Sequence, residues 1–170
     1  MYKQNIKTGI ILFVLGIVTT AAAYAQQRQS PMKTVTQTVN GKQITITYSS
    51  PSVKGREIWG ALVPYNKVWR TGANEATTIE LSEDCTVGGK LLKKGKYALF
   101  TIPNEQEWTI IINEESSQWG AYKYDPNKDL IRFKATAMEI PKTEAFDISV
   151  TDVGKVSLAW DKLKVSFDVQ

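Results

Sequence analysis

Apolar residues recur at every second position in short runs along most of this chain. No stretch of ten or more residues carries the 3.6-residue repeat of an amphipathic helix. That period commits the chain to strands with one buried face. Val35 to Val39 is one such run, and Ile44, Ile46 and Tyr48 form another, with the β-branched polar residues Thr45 and Thr47 turned outward. Between them stands Asn40-Gly41, a dipeptide that tolerates positive φ at both central positions of a two-residue hairpin turn. Further runs cover Ala76 to Leu81, Tyr97 to Ile102 and Trp108 to Ile112, then Ile131, Phe133 and Ala135. The last three are Phe146, Ile148 and Val150, then Val156, Leu158 and Trp160, and finally Leu163 to Val169.

Turn residues separate these runs at Gly88-Gly89, Lys94-Gly95, Asn104 to Gln106, Asp125-Pro126-Asn127 and Asp161-Lys162. Short strands at spacings of roughly ten residues predict an all-β fold, an antiparallel β-sandwich (jelly-roll-like or Greek-key) of about eight to ten strands. Tyr97 to Ile102 is apolar on both faces, which predicts a mid-sheet strand whose second face is covered. Leu163 to Val169 alternates, which predicts one solvated face. The predicted core holds Ile44, Ile46, Phe100, Ile102, Ile110, Phe133, Ile148, Leu158, Val165 and Phe167.

The first residues carry a different message. Lys3 and Lys7 precede an apolar run from Ile10 to Val18, and Ala23-Tyr24-Ala25 fits a small-x-small cleavage site, so residues 1–25 read as a signal peptide. The run is shorter than the roughly 20 residues of a spanning helix, and no cysteine follows the cut to take a lipid. Export to the periplasm or the outside, with no membrane span after cleavage, is the expectation. Residues 26–33 read as a flexible leader and residues 34–170 as a single β-sandwich domain. Losing Lys3 and Lys7 halves the formal net charge of +4. Lys93-Lys94-Gly95-Lys96 reads as a turn between strands, so no basic face calls for nucleic acid.

Composition narrows the chemistry. The chain has no histidine, which removes imidazole-based triads and imidazole zinc sites, and its one cysteine, Cys85, leaves no disulfide or CxxC pair. Cys85 is expected to be a buried apolar residue. Asp125, Asn127 and Asp129 begin like a calcium loop, but Leu130-Ile131 follow where that loop needs its glycine, so a plain turn is expected, with no metal. Nothing in the residues calls for a cofactor.

One region breaks the alternation. Ser50 to Glu75, about 25 residues, carries Pro51, Gly55, Gly60, Pro64 and Gly72 among Ile58, Trp59, Leu62, Val63, Tyr65, Val68 and Trp69. It is too long for a simple connection and too apolar for disorder, so an ordered insertion is expected. Its motifs, Ser52-Val53-Lys54-Gly55-Arg56-Glu57-Ile58-Trp59-Gly60 and Val68-Trp69-Arg70-Thr71-Gly72-Ala73-Asn74-Glu75-Ala76-Thr77, resemble the bacterial family called domain of unknown function 2911. Gly95 to Pro103, Trp108 to Ile111, Gln118 to Tyr122 and Leu158-Ala159-Trp160 fit the same resemblance. It implies exported, β-rich proteins chiefly of Bacteroidota-type bacteria, and it assigns no activity and no site residues.

The candidate ligand-binding residues are Arg56, Glu57, Trp59, Trp69, Arg70, Asn74, Glu75, Trp119 and Tyr122. As a pocket, aromatic faces would stack on a sugar or another small envelope ligand while arginine and asparagine hold its polar edge. As a plug, Trp59 and Trp69 would join the core, with Arg70 paired to Glu75 or Glu57. No catalytic residue is singled out, although Glu57 and Glu75 could serve a carboxylate-based hydrolase if their spacing allowed. Three functions therefore remain open: a non-catalytic binding module, a structural or interaction protein of the envelope without a pocket, and a hydrolase.

Overall fold

Asn40 and Gly41 have φ of 51° and 80°, the two positive values of a type I′ turn, whose twist matches the strands it joins. They close a hairpin between β1 (Met32–Val39) and β2 (Lys42–Ser49), with Val39 opposite Lys42 and Met32 opposite Ser49. The computed structural model describes residues 28–170. The signal-peptide reading of residues 1–25 and the first two residues of the expected leader lie outside the described residues. Strand β1 starts at Met32, so the leader's last two residues already belong to the sheet. Among the described residues no helix is long and apolar enough to cross a membrane.

Five more strands complete the main sheet: β3 (Thr78–Leu81), β6 (Gly95–Ile102), β7 (Glu107–Asn113), β8 (Asp129–Val150) and β9 (Lys155–Asp168). They lie in the order β1-β2-β3-β6-β7-β8-β9, each antiparallel to its neighbours. Two short strands, β4 (Cys85–Val87) and β5 (Lys90–Leu92), form a separate hairpin about Gly88-Gly89. Val87 bridges Val169, tying that hairpin to the end of β9. Among the described residues the expected antiparallel all-β sandwich is thus built from nine strands, connected as a meander rather than by crossovers.

The sheet curls because β8 serves both of its halves. Residues 129–136 of β8 pair with β7, while residues 137–150 pair with β9. Register shifts between Glu139 and Thr143 and between Thr143 and Asp147 bend the strand at that handover. Asp161-Lys162, expected to be a turn, lies inside β9 opposite this bend. Asp161 has φ of 51° and pairs with Thr143, so the signal marks a bulge rather than a chain reversal. The curl brings β8 back to β1 and β2: Lys33 pairs with Asp147 at 3.2 Å, and Tyr48 donates its hydroxyl to the same carboxylate.

Strand β6 is central and buried on both faces, as its sequence predicted. Leu99 points into the main core with Ile44, Ile46, Ile110, Ile148, Leu158, Val165 and Phe167. Ala98 and Phe100 point the other way, into a smaller cluster with Ala76 and Ile111. Phe100 is therefore buried outside the main core. Ile102 and Phe133, expected fully inside, are half-buried at the margins of the two clusters. Cys85 is buried, and that burial pushes the thiol's pKa up. Lys93 and Lys94 do lie in the turn before β6, where Lys93 pairs with Asp84 at 2.8 Å.

Candidate functional site

The segment from Ser50 to Glu75 is ordered because its backbone keeps returning to the sheet. Val53 N–H donates to Glu144 O and Phe146 N–H to Pro51 O, each at 2.8 Å, so residues 51–53 extend the edge of β8. Ser50 Oγ donates to Phe146 O at 2.6 Å. Farther on, Trp69 exchanges two backbone hydrogen bonds with Thr101, at 2.7 and 3.0 Å, continuing the line of β3 along β6. The residues between these anchors fold as tight turns under which Ile58 and Val63 are buried.

Four of the chain's five tryptophans meet beneath this segment. Trp69 stacks on Trp160 at 6.0 Å and 14° between planes, and Trp59 stands edge-on to both and to Trp108. Trp69 Nε1 donates to Gly72 O at 3.1 Å and Trp160 Nε1 to Glu144 O at 3.3 Å. Edge-to-face aromatic packing of this kind adds about 0.5–1.5 kcal/mol per pair beyond area burial. Trp59 and Trp69 are thus core residues, as a plug requires. Yet Trp69 and Trp160 also border a cavity of about 200 Å³.

That cavity is cationic. Lys54, Arg56 and Arg70 line it with Leu62, Val63, Gly72 and Ala73, and no carboxylate is among its lining residues. Arg70 has no carboxylate partner among the described residues, and its Nε is buried without a hydrogen-bond acceptor. The expected pairing to Glu75 or Glu57 is not made. Glu75 pairs instead with Arg28 at 2.8 Å, and Glu57 is exposed and lines no cavity. Arg56 is exposed, and its guanidinium donates to the carbonyls of Val53 and Ser52.

The turn after Arg70 is strained and pinned. Thr71 is fully buried at φ of 56°, a left-handed conformation that costs a β-branched residue about 1–3 kcal/mol. Its hydroxyl donates to Thr101 Oγ1 at 3.1 Å, and its carbonyl accepts from Thr77 Oγ1 at 2.6 Å. Gly72 has φ of 153°, and a Cβ there would fall 2.8 Å from Ser49 O, so only glycine fits. Asn74 takes φ of 58°, the left-handed value expected of it. Its carbonyl accepts from Gly120 N–H at 3.0 Å, and its amide donates to Ser30 O at 3.4 Å. It lines neither concavity and acts by holding the turn.

A second, larger concavity of about 620 Å³ opens on the outer side of the sheet. Thr47 and Ser49 of β2 and Thr78 of β3 contribute hydroxyls, Ser116 to Trp119 overhang it, and Met32, Glu75 and Lys96 complete it. The overhang is fixed by Ala76 N–H to Gln118 O and by a bridge between Glu75 and Trp119. Glu115 pairs with Lys128 at 3.0 Å, and this lysine holds the Glu115 carboxyl below its ordinary pKa. Gln118 donates its amide to Glu115 O at 2.7 Å, while its Oε1 is buried with no donor. Trp119 remains 58% exposed and Tyr122 83% exposed.

The candidate residues therefore divide. Arg56, Trp69 and Arg70 share the smaller cavity, Glu75 and Trp119 share the larger groove, and Glu57, Trp59, Asn74 and Tyr122 line neither. Glu75 lines the groove and Glu57 lines neither concavity. Asp125 accepts from Asn127 N–H at 2.9 Å and caps the 3-10 turn Pro126–Lys128. Asp129 accepts from Asn113 and Tyr124. Trp160, Lys54 and Gln118 were missed as lining residues. The outward Thr47 beside a turn-borne Trp119 was the one available signal.

Fold and site together define a class: a curled antiparallel sheet carrying an ordered aromatic insertion between two concavities. The chain belongs to the family described as protein of unknown function DUF2911, whose model matches residues 30–169. No curated protein and no solved structure matches the chain.

Proposed function

We propose that this protein is an exported, non-catalytic binding module that works in the periplasm or outside the cell and takes a neutral carbohydrate in the open groove. One observation carries the reading: the exposed Trp119 ring overhangs a groove of about 620 Å³ edged by the hydroxyl residues Thr47, Ser49, Thr78, Ser116 and Ser117. A sugar ring offers an apolar C–H face to an indole and hydroxyl groups to the polar edge of the groove. The hydroxyls of Thr47, Ser49, Thr78, Ser116 and Ser117 can donate or accept, which suits a ligand that does both. The volume falls within the roughly 300–1,000 Å³ of ordinary ligand pockets.

The test is titration of a panel of neutral oligosaccharides into the protein, followed by calorimetry. At least one should bind saturably, and Trp119→Ala should weaken it by about tenfold or more, near 1.4 kcal/mol. Absence of binding across the panel, or binding that ignores Trp119→Ala, would overturn the reading.

A further inference from the structure

We infer that the smaller cavity beneath the insertion is a separate binding site for a small oxyanion, a carboxylate or a phosphate. Three cations, Lys54, Arg56 and Arg70, border it with no carboxylate among the lining residues. None of the three forms an ion pair among the described residues. The nearby Glu144 carboxylate is engaged by the backbone N–H of Lys54 at 2.8 Å and does not line the cavity.

Arg70 is the central group. It lines the cavity, and no hydrogen bond or ion pair engages its guanidinium among the described residues. Thr71, held left-handed by its bonds to Thr101 and Thr77, fixes the backbone from which Arg70 projects. A planar guanidinium presents a fork of N–H donors that matches the oxygens of a carboxylate or phosphate. Trp69 and Trp160 supply an apolar wall, and charge attraction beside such a wall exceeds that in open water.

Size selects the ligand. At about 30 Å³ per water the cavity of about 200 Å³ has room for a small ion and a few waters. It is smaller than the roughly 300 Å³ at which ordinary ligand pockets begin. No lining residue is shared with the open groove, so the two sites can fail independently.

The experiment titrates sodium phosphate and sodium succinate separately into the protein, at ionic strength held constant with sodium chloride. Tryptophan emission reports the change at Trp69 and Trp160, and thermal shift reports binding. Saturable binding of either anion with a Kd below about 10 mM is expected. It should weaken about tenfold or more in Arg70→Gln and in the exposed-site variant Arg56→Gln. Trp119→Ala should leave it unchanged. Whichever anion binds more tightly identifies the oxyanion's source as phosphate or carboxylate. Failure of both anions to saturate, or equal affinity in the wild type and the Arg56→Gln/Arg70→Gln double variant, would overturn the site.

Discussion

The two faces of strand β6 lead into layers of very different depth. Leu99 enters a core in which four tryptophans, Phe146 and the inward residues of every long strand interlock. Ala98 and Phe100 enter a layer whose other buried members, among the described residues, are Ala76 and Ile111, with Val68, Ile102, Ala121 and Tyr124 closing over it. The inner layer is roofed by the insertion, whose backbone is hydrogen-bonded into β6 and β8. The outer layer is roofed by residues 114–128, held by a few loop contacts such as Glu115–Lys128. The thick layer supplies stability, and the open groove begins where the thin layer stops.

Paired truncations test this division directly. Trp160 is 1% exposed and contacts Trp59, Trp69 and Phe146, so Trp160→Ala should cost about 5 kcal/mol, the upper end for a buried aromatic. Phe100 is fully buried, but it packs edge-on to Tyr124, which belongs to a loop able to settle into the space left behind. Phe100→Ala should cost about 3 kcal/mol, the lower end of the same range. Urea unfolding of both variants measures the difference. A larger loss for Phe100→Ala would make the outer layer the principal core.

Tyr48 probes how the inner layer is closed. Its hydroxyl donates to Asp147 Oδ1 and accepts from Ile148 N–H, each at 3.0 Å, so it fastens β2 to the far half of β8. Burial, reinforced by the Asp147 carboxylate, pushes its pKa up to about 12. The folded protein thus holds this proton more tightly than the unfolded chain does. The resulting stability is complete below pH 10 and is lost as the pH rises toward about 12. Tyr48→Phe should flatten that alkaline loss. It should also cost about 1–3 kcal/mol at neutral pH, because the Ile148 N–H is left without an acceptor. Chemical denaturation at pH 7 and across the alkaline range checks both, and an unchanged pH slope would remove Tyr48 from the closure.

How much of this was visible in the sequence depends on how far apart the cooperating residues lie. Period-two alternation located the long strands, and the two apolar faces of Tyr97 to Ile102 located the centre of the sheet. The three-residue strands Cys85–Val87 and Lys90–Leu92 are too short to alternate, so only their Gly88-Gly89 turn was visible. Asp161 looked like a turn because turns and bulges ask for the same backbone conformation. Arg70 and Trp69 were legible as candidates, but the missing partner of Arg70 was not. Whether a cation is paired depends on chain segments that only the curl of the sheet brings near. The groove was less legible still, since β1, β2, β3, β6 and two loops each contribute to it.

The smallest expected effect on stability is at Trp119, and it sharpens the comparison most. Its backbone bridges Glu75, and its neighbours bond to Ala76 and Asn74 through main-chain groups that any side chain would leave in place. More than half of its ring surface is already in water, so truncation forfeits little burial. Trp119→Ala should therefore change stability by no more than about 0.5 kcal/mol, the usual range for surface substitutions. In a chain of this size that is a shift in Tm of about 1–2 °C. Calorimetry beside Trp160→Ala puts two residues of one type, in one protein, at opposite ends of the scale. A loss at Trp119 approaching that at Trp160 would show its ring to be part of the core in solution, and the open groove would lose the surface on which a sugar is proposed to stack.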